Sequence, residues 1–166
     1  MRVIGGSWRG RRLEAPAGRS VRPTSDRARE AIFNILAHGK HTGGEGSPVP
    51  DARVLDAFAG SGALGIEALS RGAAHATFLD QDPAALAAVE RNLTTLKGLD
   101  QATIRRADCT APPRATEPCD LVFLDPPYGK GLGEKALASV REGGWIAPNG
   151  IAILEESAKT YVEVID

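Results

Sequence analysis

The sequence has few of the residues that build metal centres and disulfide frameworks. Only 2 cysteines and 3 histidines occur among its 166 residues. Cys109 and Cys119 lack the CxxC spacing of a metal or redox pair, and no histidine cluster lies beside them. No apolar run approaches the roughly 18 residues of a membrane span, and the N-terminus lacks the apolar segment of a secretory signal. We therefore expect a cytoplasmic protein with reduced thiols, no bound metal and no membrane contact.

Lysine is absent from the first 29 residues, although eight arginines lie there beside two acidic residues. This segment carries a net charge of +6, and the remainder of the chain carries −7. A basic end on an acidic body is typical of a protein that contacts nucleic acid at one end. Arginine also suits phosphates and base edges better than lysine does. A solvated basic tail is the alternative, but it would have no need of Val3, Ile4, Trp8, Leu13 and Val21.

Residues 1–39 are predicted to form a basic N-terminal arm, a small extension that ends in a helix. Glycines between short apolar runs indicate a hairpin-like shape over residues 1–22. Residues 23–25, Pro-Thr-Ser, suit the cap of a helix that Gly39 ends, with Asp26 in its first turn. The helical spacing predicts a polar side with Arg27, Arg29 and Glu30. The buried side is predicted to consist of Ala28, Ala31, Ile32, Ile35 and Leu36. Residues 40–51, rich in glycine and proline, are predicted to be a flexible connector.

Residues 52–166 alternate strands with helices, a pattern typical of a doubly wound, mostly parallel α/β sheet. Asp82 and Pro83 suit the cap and the first position of a long helix. The chain has room for at most one more strand after the fifth. Strands are predicted near 54–58, 76–80, 102–106, 121–125 and 150–154, and helices near 63–70, 82–97 and 134–141.

A glycine loop follows the first strand and precedes a helix. Residues 60–65 read Gly-Ser-Gly-Ala-Leu-Gly, which fits the GxGxxG pattern of nucleotide-binding loops. Asp80 ends the next strand, where a carboxylate can accept both ribose hydroxyls. Nicotinamide dinucleotides and S-adenosylmethionine both bind in this way. Asp56 favours the second, because a carboxylate suits a methionyl ammonium group and not a pyrophosphate, while Asp108 is either an acceptor for the adenine amine or a turn residue. The predicted cofactor-binding residues are Asp56, Phe58, Ala59, Gly60, Gly62, Asp80, Gln81, Asp108, Cys109 and Asp125.

The fourth strand ends in Asp125-Pro126-Pro127-Tyr128. Asp125 and the carbonyl of Pro126 can accept hydrogen bonds from an exocyclic amine, and Tyr128 can stack on the ring that carries it. Such hydrogen bonds would localise the nitrogen lone pair and aim it at a methyl donor, so that catalysis is mostly positioning and desolvation. Asp125, Pro126 and Tyr128 are therefore the predicted catalytic residues. An ordinary turn after a buried strand is the alternative.

Four blocks of the sequence resemble the RsmD family of bacterial methyltransferases. They are residues 1–11, 22–36, 56–68 and 125–128, and the resemblance extends from residue 1 to about 155. The run Arg-Pro-Thr-Ser-Asp-Arg at 22–27 is the family-specific part, since the glycine loop and the Asp-Pro-Pro-Tyr run occur more widely. Members of the family methylate the N2 amine of a guanine in 16S ribosomal RNA. Their chains usually continue into a further hairpin after the fifth strand.

The resemblance implies a Rossmann-like class I fold with S-adenosylmethionine as its cofactor. It also implies 16S ribosomal RNA as the partner, within an assembled small ribosomal subunit, and a protein that acts as a monomer. The target base would be flipped between Tyr128 and the cofactor. The residues predicted to contact RNA are Arg2, Arg9, Arg11, Arg22, Thr24 and Arg27. The residues by themselves leave open an adenine N6 amine, a protein glutamine or, from another class, a nicotinamide-dependent oxidoreductase.

Overall fold

The computed structural model describes residues 1–16, 25–38, 46–127, 131–156 and 159–165. Within these ranges the chain forms one six-stranded sheet with helices on both faces. None of these helices has the length and apolarity to cross a bilayer. The elements are α1 (Asp26–His38), β1 (Arg53–Ala57), α2 (Ala63–Ser70), β2 (His75–Asp80), α3 (Pro83–Leu96), β3 (Ala102–Arg106), β4 (Cys119–Leu124), α4 (Leu132–Glu142), β5 (Ile146–Glu156) and β6 (Lys159–Val164).

The strand order is β3-β2-β1-β4-β5-β6. The first five strands run parallel, and β6 pairs antiparallel with β5. The prediction of a doubly wound, mostly parallel sheet is therefore confirmed. The chain adds β2 and β3 on one side of β1 and then crosses to β4 on the other side, so a crevice opens at the carboxyl ends of β1 and β4.

The two faces of the sheet bury separate cores. Side chains alternate between the faces along each strand. Phe78, Phe123 and Ile153 lie in the core shared with the arm, α1, α2 and α3. Their neighbours Leu79 and Leu124 lie in the second core, which α4 covers. The face on which a residue lies therefore follows from its position along the strand.

The N-terminal arm is docked on the first of these cores. Arg2 and Arg12 form an antiparallel bridge, and Val3 and Leu13 are buried in the same cluster as the sheet residues. The backbone N–H groups of Ile4 and Gly5 donate to the two carboxylate oxygens of Glu67 on α2, at 2.9 and 3.0 Å. The division of the chain at residues 39 and 51 stays a prediction, since residues 17–24 and 39–45 lie outside the described ranges.

Helix α1 begins where the sequence predicts, but its buried face differs from the prediction. The hydroxyl of Ser25 accepts a hydrogen bond from the N–H of Ala28 at 3.1 Å, which caps the first turn. Phe33 is buried and Ala31 is exposed. The placement of Arg29 on the polar side is wrong, because its side chain is fully buried and its guanidinium donates to Glu67 at 3.2 Å. A carboxylate from α2 makes this burial possible, and the periodicity of α1 cannot reveal it.

Candidate functional site

Three of the predicted acidic residues meet at the carboxyl ends of adjacent strands. Asp56 on β1 is in register with Phe78 on β2 and with Phe123 on β4. Asp80 and Asp125 each lie two residues beyond these partners, so all three carboxylates belong to the same face of the sheet. Their charges interact: burial raises the pKa of Asp56 well above its usual value, and the charges of Asp125 and Asp80 raise it further. The described residues nevertheless contain no group of side chains suited to a metal ion.

The glycine loop bends sharply between β1 and α2. Phe58, Gly60 and Gly62 all have positive φ angles, of 59°, 59° and 82°. For Phe58 this conformation is strained, as is common for residues at ligand-binding loops. The space beside Gly60 is open, with no atom within 4 Å of where a Cβ would stand. A ligand can therefore approach the backbone closely at this point.

The last glycine of the loop has a packing role instead. A Cβ on Gly65 would lie only 2.4 Å from the ring of Phe78 on β2. Its absence lets α2 pack closely on the sheet. The N–H of Gly65 also donates to Asp56 Oδ2 at 2.9 Å, so the carboxylate stabilises the first turn of α2. Asp56 therefore stabilises the glycine loop through this hydrogen bond, while its burial disfavours the charged form in the absence of a nearby cation.

Asp80 fixes the other side of the loop. Its Oδ2 accepts from the N–H of Gly60 at 3.0 Å, and its Oδ1 accepts from the N–H of Asp82 at 2.9 Å. Asp82 in turn caps α3 by accepting from the N–H of Ala84, as predicted. The side chain of Gln81 is exposed at this edge. The carboxyl end of β2 therefore offers a rigid wall beside Gly60.

The predicted residues after β3 have two different environments. Asp108 is exposed, and its Oδ1 accepts from both the N–H and the hydroxyl of Thr110, which lowers the pKa of Asp108. It therefore forms a turn, and a role towards adenine stays a prediction. Cys109 is buried: its sulfur accepts from the N–H of Phe58 at 3.2 Å, and burial raises its pKa to about 12. Cys109 is thus a neutral thiol that stabilises the glycine loop. The next residue of the loop, Ala59, donates its N–H to the carbonyl of Leu79.

The predicted catalytic stretch lies at the end of β4. Asp125 is partly exposed there, and Pro126 is buried. Tyr128 lies outside the described residues, as do Arg22 and Thr24, so their roles stay predictions. Asp125 is one residue beyond Leu124, which pairs with Ala57 of β1. It therefore lies at the same level of the sheet as Phe58, at the start of the glycine loop.

The predicted RNA contacts are exposed but do not gather at this edge. Arg2, Arg9, Arg11 and Arg27 are all exposed. One guanidinium nitrogen of Arg11 donates to the carbonyl of Thr95 near the end of α3, at 3.2 Å. At 1.5 Å per residue, Thr95 lies about 18 Å along α3 from its start at the carboxyl edge. The turn of the arm is thus remote from the carboxyl edge of the sheet.

Two buried polar side chains that the sequence interpretation missed connect the arm to the site. Asn92 on α3 accepts from the N–H of Glu14 and donates to the carbonyls of Glu14 and Ser61, so it joins the arm to the glycine loop. Glu67 accepts hydrogen bonds from the N–H of Ile4 in the arm and from the guanidinium of Arg29. A lone carboxylate inside the otherwise apolar helix α2 is the signal that could have identified Glu67.

A third missed residue is Glu155, near the carboxyl end of β5. Its side chain is buried, and its Oε1 accepts a hydrogen bond from the hydroxyl of Thr160 on β6. Burial raises the pKa of Glu155, the hydrogen bond from Thr160 opposes this effect, and the charge of Asp125 adds to it. The predicted fifth strand ends at Leu154, so the sequence pattern does not assign Glu155 to the strand or to a face of the sheet.

The chain is similar to proteins of known family. A family described as Cons_hypoth95, Conserved hypothetical protein 95, matches residues 1–166. Ribosomal RNA small subunit methyltransferase D of Escherichia coli is 39% identical over 165 residues, covering 99% of this chain and 79% of that protein. The protein of the same name from Haemophilus influenzae is 38% identical over 159 residues, covering 93% and 78%.

A solved structure agrees with these sequence relationships. The protein yhhF from Escherichia coli superposes with a TM-score of 0.78 at 40% identity, covering 96% of this chain and 82% of that one. The family model matches the whole chain, including the segments that form the glycine loop and the strand ends with Asp56, Asp80 and Asp125. The resemblance found in the sequence is confirmed: the chain belongs to the Cons_hypoth95 family, which is the RsmD family.

Proposed function

We propose that this protein transfers a methyl group from S-adenosylmethionine to the exocyclic N2 amine of a guanine in small-subunit ribosomal RNA. Its family includes proteins named ribosomal RNA small subunit methyltransferase D. The observation that carries the proposal is the meeting of Asp56, Asp80 and Asp125 beside the open backbone of Gly60, in a chain of this family.

The residues at the carboxyl edge fit S-adenosylmethionine better than a nicotinamide dinucleotide. The ammonium group of S-adenosylmethionine is a cation, and a carboxylate at Asp56 would stabilise it. A pyrophosphate placed there would meet like charges. Asp80 would accept from the ribose hydroxyls and Asp108 from the adenine amine, while Gly60 allows close approach. When bound, the cofactor supplies an electrophilic methyl group.

The acceptor amine would be held by the end of β4. Asp125 and the carbonyl of Pro126 accept hydrogen bonds from its two N–H groups, which directs the nitrogen lone pair towards the methyl carbon. Methyl transfer would form the nitrogen–carbon bond and break the carbon–sulfur bond, with neutral S-adenosylhomocysteine as the leaving group. The nitrogen becomes acidic only after this step, so a carboxylate or water can take its proton and no strong base is needed beforehand. Tyr128 would stack on the base and exclude water.

The arginines of the arm would supply a sequence-independent grip on RNA phosphates. Arg2, Arg9, Arg11 and Arg27 are exposed for this role, and Arg22 and Thr24 belong to the same proposal. Because the turn of the arm is remote from the site, a large folded substrate is favoured, such as the assembled small subunit. The protein would act there as a monomer, in the bacterial cytoplasm where ribosomes are made.

The test uses small ribosomal subunits from cells that lack the enzyme, tritiated S-adenosylmethionine, and nucleoside analysis of the product. Wild-type protein should place label in N2-methylguanosine. Asp125→Ala should reduce turnover at least 100-fold, the effect of a lost positioning contact, while cofactor affinity changes little. Asp120→Ala is the matched control, because Asp120 lies at the opposite end of the same strand and binds the N–H of Arg53. Label in another nucleoside, or full turnover by Asp125→Ala, would refute the proposal.

A further inference from the structure

The residue beside Asp125 on the next strand is a second carboxylate. Leu124 on β4 pairs in register with Leu154 on β5, so Asp125 and Glu155 follow at the same level. Both lie on the face opposite to the core that α4 covers, because side chains alternate along a strand. Neighbouring strands are about 4.8 Å apart. A ring whose amine is held by Asp125 would therefore have its adjacent edge next to Glu155.

Glu155 is buried and oriented by a partner. Only 6% of its surface is exposed, which is uncommon for a carboxylate. The hydroxyl of Thr160, its partner in the β5–β6 register, donates to Oε1. This contact commits one oxygen and orients the second. Glu156 differs, since it lies on the opposite face, with its carboxyl carbon 3.5 Å from where a Cβ of Gly133 on α4 would stand.

Guanine and adenine differ in the group next to the amine. In guanine the N2 amine is adjacent to N1–H, so the edge presents donors side by side. In adenine the N6 amine is adjacent to N1, which is an acceptor. An ionised carboxylate only accepts hydrogen bonds, and the hydrogen bond from the hydroxyl of Thr160 stabilises this form of Glu155. Acceptors at Asp125, the Pro126 carbonyl and Glu155 thus match the guanine edge, and the lone pairs of Glu155 would repel N1 of adenine.

We propose that Glu155 determines the choice of guanine by accepting a hydrogen bond from its N1–H. This inference depends on the function proposed above, and it deepens that function by assigning the selection of the base to one residue. Asp125 alone cannot make the choice, since both bases carry an exocyclic amine. Glu155 touches the acceptor base in this assignment but takes no part in bond formation.

The first experiment compares Glu155→Ala and Glu155→Gln with wild type on small ribosomal subunits. Glu155→Ala should lower kcat/KM about 10- to 100-fold, the range expected for one specific base contact. The affinity for S-adenosylmethionine, measured without RNA, should remain within about twofold. Glu156→Gln is the matched control and should leave both quantities unchanged. Thermal unfolding of each variant shows whether it remains folded.

The second experiment changes the base. Subunits reconstituted with 1-deazaguanosine at the target keep the N2 amine but lack N1–H. Wild type should lose about 10- to 100-fold in kcat/KM on this substrate, whereas Glu155→Ala should treat both substrates alike. Glu155→Gln, whose amide can accept or donate, should lose selectivity between guanine and adenine at the target.

The outcomes separate this inference from the proposed function. If wild type labels N2-methylguanosine but Glu155→Ala prefers guanosine over 1-deazaguanosine as strongly as wild type does, the role of Glu155 is refuted and the function stands. If wild type forms no N2-methylguanosine, the proposed function fails, and the assignment of Glu155 fails with it. Equal treatment of the two substrates by Glu155→Ala supports the assignment.

Discussion

Replacing Asp56 with asparagine should stabilise the cofactor-free protein and weaken its binding of S-adenosylmethionine. The side chain is 1% exposed, and burial raises its pKa well above 3.8. Asparagine keeps an oxygen that can accept from the N–H of Gly65, but it buries no charge. The substitution therefore removes the unfavourable desolvation while it preserves the described hydrogen bond.

The magnitude follows from linkage between protonation and folding. The folded state holds the proton of Asp56 to a higher pH than the unfolded chain does. The resulting stability is fully present below pH 3.8 and is lost as the pH rises through the folded pKa. Each unit of elevation corresponds to about 1.4 kcal/mol. Each kcal/mol gained at neutral pH should raise Tm by roughly 2 to 4 °C in a domain of this length.

Thermal unfolding from pH 3 to pH 8 tests the stability effect, because the loss of stability begins at the unfolded pKa of 3.8. The difference in Tm between Asp56→Asn and wild type should grow as the pH rises, while Asp120→Asn, at an exposed position, should show no such trend. Calorimetric titration with S-adenosylmethionine should show a Kd increased about 10- to 100-fold, because a charge-assisted hydrogen bond is lost. A lower Tm at neutral pH, or an unchanged Kd, would refute the reasoning about Asp56.

The buried ion pair and the arm give two further predictions. Arg29→Met should lower the free energy of unfolding by about 1.5 to 3 kcal/mol in urea denaturation, because Glu67 loses one buried charged partner and keeps Arg71. Exposed Arg27→Met should change it by less than about 0.5 kcal/mol, and equal effects would contradict the assignment. Reversing Arg9 and Arg27 to glutamate should weaken RNA binding and reduce the slope of log K against log salt by about 1.5, because two phosphate contacts are lost. Arg141→Glu, on α4 beneath the other face, is the control, and a salt slope unchanged by the arm reversal would remove those arginines from the RNA interface.

Local patterns predicted most of the elements that position the site. Strand β3 and the cap of α3 by Asp82 occur where the sequence places them, because strand runs and caps depend on adjacent residues. The glycine loop is also a local signal, and its positive φ angles agree with it. The prediction of β5 was short by four residues at its start and two at its end, since its first residues are half-buried or exposed and show no apolar run.

Predictions failed where a distant segment changed the environment of a residue. Arg29 was placed on the polar face of α1 because a charged residue normally lies in solvent. The apolar spacing of α1 predicts a buried side that includes Ala31 and omits Phe33, whereas Ala31 is exposed and Phe33 is buried. Phe33 packs against Phe123 of β4 with ring centroids 5.6 Å apart. Neither partner of α1 can be identified from its own spacing.

The sequence by itself determined the order of strands and helices, the glycine loop and the family, because these depend on short runs of residues and their spacing. Only the tertiary structure decided which side chains meet. The register of parallel strands brings Asp56, Asp80 and Asp125 to one face and places Glu155 beside them. Packing of α1 on α2 buries Arg29 against Glu67. Hydrogen bonds act over a few ångströms and exposed charges are screened beyond about 10 Å, so residues separated by dozens of positions interact only after the sheet has set their register.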